Sequence, residues 1–374
     1  MKVLSVFGTR PEAVKMAPIV RLLQQTPGVD SRVCVTAQHR QMLDQVLELF
    51  EIKPDYDLNL MRDNQSLAAL SASIFTHLDP ILAEFQPDWV LVVGDTTTVV
   101  TTSQLAYYRR IKIGHVEAGL RTHNKWHPFP EEINRRIATV IADLHFAPTA
   151  WARGNLLREG VDEKSILVTG NSVIDALNFV LKQPQPQEIA DLVNQLELKT
   201  RKLILLTAHR RENFGQPLEN ICWAIRELVS RGDVEVVDPV HLNPKVQEPV
   251  NRILKGIPHI TLLPPLNYLP MVHLMKHAKL ILTDSGGLQE EAPSLGVPVL
   301  VLRETTERPE GVEAGTLKLV GTETHQIIRG AERLLDDPVA HAEMARAANP
   351  YGDGHAADRI IAALLRTENA IEHF

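Results

Sequence analysis

The chain has 374 residues, of which 44% are apolar and 23% charged, a balance that suits a globular protein built from two α/β domains. Its net charge of −7 argues against a general nucleic-acid surface but leaves room for a local basic pocket. Cys34 and Cys222 stand far apart, without metal-type or redox-type spacing, which argues against a disulfide framework and a zinc site and suits a reducing, cytoplasmic setting.

Residues 3–7 form an apolar run of strand type, followed by Gly8-Thr9-Arg10-Pro11-Glu12. Pro11 fits the first turn of a helix, and residues 13–23 continue with helical periodicity. Arg10 and Lys15 thus lie at a strand's C-terminal end, either as surface and capping residues or as an anion site. A strand pattern at 32–37 precedes a helix from about 40 to 50, a loop with Asp55, Asp57 and Asn59, and a helix from about 66 to 85. Continuous apolar strands follow at 88–93 and 112–117, ending in Gly94-Asp95-Thr96-Thr97-Thr98 and Glu117-Ala118-Gly119. Continuous rather than alternating apolar runs, interleaved with helices, predict parallel sheets covered on both faces. Ligands of such sheets sit beyond the strand C-terminal ends, where Asp95 and Glu117 both fall. Glu131 opens a helix after two prolines, a position the helix dipole alone explains.

Residues 166–171 close the first sheet, and Gln183-Pro184-Gln185-Pro186-Gln187 is the best linker segment. The reading divides the chain into residues 1–171, with a final helix at about 355–374 returning to pack on them, and residues 172–354. A second sheet starts at 202–207 and runs into His209-Arg210-Arg211, either a structural turn or an anion and acid–base position. Further strands lead to Pro239-Val240-His241, to Pro264-Pro265-Leu266 and to the segment Thr283-Asp284-Ser285-Gly286-Gly287-Leu288-Gln289-Glu290-Glu291. There the pattern is strand, Gly-rich turn, helix. The two glycines let a bulky anion approach backbone N–H groups, Ser285 can cap the helix, and Glu291 lies one turn on, placed to accept from sugar hydroxyls.

No Gly-x-Gly-x-x-Gly follows a strand, so a nicotinamide fingerprint is missing, and no Walker motif is complete. The N-terminus lacks the apolar core of a secretory leader, and no apolar run reaches membrane-spanning length. Neither a membrane nor a nucleic acid is therefore an expected partner.

The motifs Gly8-Thr9-Arg10-Pro11-Glu12-Ala13, Gly94 to Thr98, Gly114-His115-Val116-Glu117-Ala118-Gly119-Leu120-Arg121, Pro130-Glu131-Glu132, Thr207 to Asn213, Pro239 to Pro244, Thr283 to Leu295 and Thr306-Glu307-Arg308-Pro309-Glu310 occur in one order along the chain. Together they resemble the bacterial non-hydrolysing UDP-N-acetylglucosamine 2-epimerases. The resemblance implies a GT-B fold, with two Rossmann-like, doubly wound domains facing across a cleft. It implies interconversion of UDP-GlcNAc and UDP-ManNAc by a cytoplasmic homodimer without cofactor or metal, a supply that surface-polysaccharide synthesis could use. Asp95, Glu117, Glu131 and His209 match the family's catalytic group. Arg10, Lys15 and the Ser285-Gly286-Gly287 turn would hold phosphate, Glu291 and Arg308 the nucleoside end, and Leu266 and Met271 the uracil surroundings. Gln38, Gln41 and His241 fit a second, activating UDP-GlcNAc site, although Asn64 stands where an arginine would help. Other departures are Val93 for His, Asp238 for Tyr, His127 for Ser, Leu266 for Gln and Met271 for an aromatic. A GT-B glycosyltransferase, a hydrolysing epimerase that releases UDP and ManNAc, and an inactive sugar-nucleotide sensor are the alternatives.

Overall fold

A computed structural model describes residues 1–37, 40–60, 62 and 65–371. The chain divides into two compact units, Met1–Phe179 with Tyr351–Phe374, and Val180–Pro350. Their boundary lies beyond the one drawn at residue 171, because the helix Ser172–Val180 is seated on the first unit: Asp175 accepts the N–H groups of Ala356 (3.2 Å) and Ala357 (2.9 Å).

The first unit contains β1 (Lys2–Phe7), β2 (Asp30–Val35), β3 (Tyr56–Asp57), β4 (Trp89–Val93), β5 (Lys112–Val116), β6 (Leu144–Ala147) and β7 (Ile166–Val168). They form one parallel sheet in the order β3-β2-β1-β4-β5-β6-β7. The sequence reading did not anticipate β6, and it took for a loop the segment that pairs with β2 as β3. Leu4, Val6, Val90 and Val92 pack on Ile74, Leu78 and Leu82 of the helix Leu67–Phe85, all at least 99% buried. Each such side chain contributes roughly 1.5–3 kcal/mol by leaving water. The last helix, Ala356–Ile371, belongs to this unit, where Glu368 accepts from Trp89 Nε1 (2.8 Å) and Lys112 Nζ (2.6 Å).

The second unit repeats the plan with β8 (Lys202–Thr207), β9 (Val234–Pro239), β10 (Ile260–Leu263), β11 (Leu280–Thr283), β12 (Val299–Val301) and β13 (Leu317–Leu319). The order is β10-β9-β8-β11-β12-β13, all parallel, and β13 is again unforeseen. Ile204, Val236, Leu282 and Leu300 meet Ile221, Ile225 and Ile327 from the covering helices. In each sheet the strand order reverses once, beside β1 and β4 in one and β8 and β11 in the other. Chain connections leave in opposite directions at such a point, opening a crevice at the strand C-termini. Among the described residues, no helix is long and apolar enough to cross a membrane.

Candidate active site

In the first unit the strand ends carry an interlocked set of charges. The helix Arg10–Gln25 starts directly after β1, capped by Thr9 with Glu12 at its third position. Glu12 Oε2 accepts the N–H groups of Gly8 (2.9 Å) and Thr9 (2.7 Å), while its Oε1 accepts from Thr96 Oγ1 (2.5 Å). One buried carboxylate therefore ties the turn bearing Arg10 to the turn bearing Asp95. Burial pushes the Glu12 carboxyl up, against these hydrogen bonds, which favour its charged form.

Asp95 follows β4. Its carboxylate pairs with Arg135, and its carbonyl accepts from Asn134 Nδ2 (2.9 Å). Both partners come from the helix Glu131–Ile141, whose first residue is the third predicted carboxylate. Glu117 follows β5 in left-handed backbone (φ 61°). Its Oε1 accepts from Lys15 Nζ and from Asn171 Nδ2 (3.3 Å). Lys15, read from the sequence as a phosphate cation, is paired here with the Glu117 carboxylate. His115, on β5, donates from Nε2 to Gly94 O (2.8 Å), and burial pushes its imidazole down to about 4, so it holds the Asp95 turn as a neutral ring.

The second unit sets its groups around β8 and β11. His209 follows β8, and its ring stacks on His241 with centroids 5.2 Å apart and planes 11° apart. Ser285-Gly286-Gly287 follows β11 into the short helix Gly286–Glu291. Ser285 does not cap that helix through its side chain, contrary to the sequence expectation; its own N–H is drawn back onto Thr283 Oγ1 (2.9 Å). Arg308 Nε donates to buried Glu290 (2.6 Å), and Gly286 leaves room for the guanidinium: a methyl there would lie 2.6 Å from Arg308 Nη1. Glu307 sits between Arg308 and Arg303; burial pushes its carboxyl up, but the two guanidinium groups outweigh this and hold it at about 2. Glu291 accepts from Tyr268 Oη (2.8 Å). Leu266, after β10, and Met271, in the first turn of the helix Tyr268–His277, are both partly exposed.

Gln38, Asn64 and the side chain of Gln41 lie outside the described residues, so the second-site reading reduces to His241. Glu197, Glu235 and His259 bring ligand-type atoms within 4.8 Å of one another, but Arg201 already pairs with both carboxylates (3.0 and 3.6 Å), and Glu235 lies near the start of β9, away from the strand ends above.

Sequence reasoning missed the residues that hold the candidate groups and their turns in place: Glu12, Arg135, Asn171 and Asp284. Only Glu12 carried a readable signal, as the third position of a Thr-x-x-Glu capping box.

The sequence profile of the family described as UDP-N-acetylglucosamine 2-epimerase matches residues 21–365. A UDP-N-acetylglucosamine 2-epimerase of Yersinia pestis is 57% identical over 369 residues, covering 97% of this chain and 98% of the relative. Its Escherichia coli K12 counterpart is 55% identical over 371 residues, with 97% and 98% covered. Among solved structures, the Neisseria meningitidis UDP-GlcNAc 2-epimerase bound to UDP-GlcNAc superposes with a TM-score of 0.92 at 50% identity, covering 98% of this chain and 100% of that one. The fold class is accordingly α/β of the GT-B type, as the motifs led one to expect.

Proposed function

The chain belongs to the UDP-N-acetylglucosamine 2-epimerase family, and from that premise we propose that it interconverts UDP-GlcNAc and UDP-ManNAc without hydrolysing either. The observation that carries this reading is the gathering of three carboxylates, Asp95, Glu117 and Glu131, at the ends of β4 and β5 and the start of the adjoining helix, two of them pinned by cations.

The chemistry explains why such groups are needed. The proton on sugar carbon 2 has no neighbouring carbonyl carbon, so its direct removal would leave an unstabilised carbanion. Carbon 1 carries UDP as a leaving group. When the C1–O bond breaks, the electron pair departs with UDP and carbon 1 gains oxocarbenium character, which acidifies the adjacent C2–H. A base takes that proton, and the electrons of the C–H bond form the C1=C2 double bond of 2-acetamidoglucal. Re-addition of UDP at carbon 1, with protonation of carbon 2 on the opposite face, inverts the centre.

That route asks for acid and base groups on both faces of the sugar and for donors on the departing diphosphate. Asp95, Glu117, Glu131 and His209 supply the first set. Arg10, Lys15 and the Ser285-Gly286-Gly287 turn supply the second, and Glu291 and Arg308, bordered by Leu266 and Met271, hold the nucleoside. Loss of one preorganised donor to the leaving group would slow turnover on the order of 10²–10³-fold. The test is incubation with UDP-GlcNAc in D₂O followed by NMR. Deuterium at carbon 2 of both sugars, with UDP-ManNAc as the minor product, is expected. Release of UDP and free ManNAc would instead show hydrolysis, and an untouched substrate would point to a transferase or a sensor.

A further inference from the structure

The support beneath His209 is more specific than a turn requires. Asp284, the residue after β11, is fully buried. Its N–H donates to Thr207 O (3.1 Å), which fixes it beside the end of β8. Its Oδ2 accepts three hydrogen bonds, from His209 N (2.8 Å), Arg210 N (2.8 Å) and Asn213 Nδ2 (2.9 Å). Its Oδ1 accepts none and lies 3.7 Å from His209 Nδ1. A buried carboxylate oxygen without a donor is costly, and native structures rarely leave one. On the other side of the ring, His241 stacks against His209 and is itself fixed by Asn243 N, which donates to His241 Nδ1 (3.1 Å). The imidazole of His209 therefore has one face against His241 and its Nδ1 edge turned toward the open oxygen of a carboxylate that is anchored through its other oxygen.

The geometry points to Asp284 as the positioning residue of His209: it holds the ring with its proton on Nδ1, leaves the Nε2 lone pair as the proton-accepting atom, and stabilises the imidazolium once Nε2 has taken a proton. A gap of 3.7 Å is about half an ångström beyond a hydrogen bond, and such contacts often tighten only when substrate binds. A second acid lies within electrostatic reach of Asp284. Buried Asp238, at the end of β9, has its carboxyl pushed up to about 8, first by burial and then by the charge of Asp284. The role in turnover rests on the reading of His209 as an acid–base group; the tautomer does not.

The experiment is ¹⁵N NMR of the full-length protein labelled at histidine, with His209 assigned by the loss of its signals in His209→Gln. The neutral ring in the wild type is expected to carry its proton on Nδ1. In Asp284→Asn the three donors claim the amide oxygen, so the amide NH₂ faces His209 Nδ1 and draws the lone pair there. The signal should then move to the Nε2–H pattern, with kcat falling on the order of 10²–10⁴-fold and KM little changed. If Asp284→Asn does not fold, the wild-type tautomer decides alone. A proton on Nε2 in the wild type overturns the inference, as does an Asp284→Asn protein with unchanged tautomer and unchanged kcat. Failure of deuterium to reach the sugar would sink the proposed reaction and leave the tautomer assignment readable.

Discussion

Replacing Asp238 with asparagine isolates the effect of one buried acid on the second unit. An acid that holds its proton more tightly in the folded chain stabilises the fold only while it stays protonated. For Asp238 that contribution is complete below the ordinary value of 3.8 and is lost as pH rises through about 8. Between those limits the folded chain holds one proton more than the unfolded chain, so stability falls by about 1.4 kcal/mol per pH unit. From about pH 5 to about pH 7 the loss is roughly 3 kcal/mol, an upper figure that solvent relaxation around the carboxylate would reduce. In a unit of this size it corresponds to on the order of 6–12 °C in Tm. Asparagine keeps the shape and cannot ionise. The stability of Asp238→Asn relative to wild type, in urea or on heating, should therefore rise by roughly 3 kcal/mol between about pH 5 and about pH 7. Parallel pH–stability curves for the two proteins would refute the reasoning, because they would mean that Asp238 does not carry its proton into the neutral range.

Asn171→Ala removes the amide from Glu117 and leaves Lys15 in place; loss of about 1–1.5 kcal/mol of support should slow deuterium incorporation at carbon 2 roughly tenfold, read by NMR. Gly286→Ala puts a methyl 2.6 Å from the Arg308 guanidinium and forces it off Glu290. At about 1–3 kcal/mol for overpacking, UDP affinity by calorimetry should fall on the order of 10–100-fold while carboxylate chemistry in the first unit is untouched. For the homodimer expected from the resemblance, light scattering should give twice the 41.8 kDa chain mass. The helix Glu131–Ile141 leaves Ile133, Ile137 and Val140 exposed on one stripe, and Val140→Asp should shift that mass toward one chain if the stripe is covered in the dimer.

The sheets were legible because parallel strands buried on both faces must be written as unbroken apolar runs, as in Trp89–Val93 and Leu280–Thr283. The strands that escaped notice are those where that rule weakens. Tyr56–Asp57, Leu144–Ala147 and Leu317–Leu319 are only two, four and three residues long, and Asp57, His145 and Lys318 interrupt their apolar pattern. The carboxylates of the site could be found for a related reason: chain position alone puts Asp95 and Glu117 at strand ends.

What chain position does not reveal is which distant side chain closes on each of them, since that depends on strand order. Lys15 meets Glu117 only because β1, β4 and β5 are successive neighbours, and Arg135 reaches Asp95 from a helix that begins after β5. Asp284 lies under His209 because β11, the fourth strand of its unit in sequence, pairs with β8, the first. The same adjacency gives Asp238 its meaning. Read along the chain it is an acid where the resembling family often has tyrosine; read across β9, β8 and β11 it is a second acid close enough to feel the charge of Asp284. A tyrosine there would bring no carboxylate. This chain instead places a proton-holding acid beside the support of His209, and the pH response of its second unit is therefore where it should differ most from relatives that keep the aromatic.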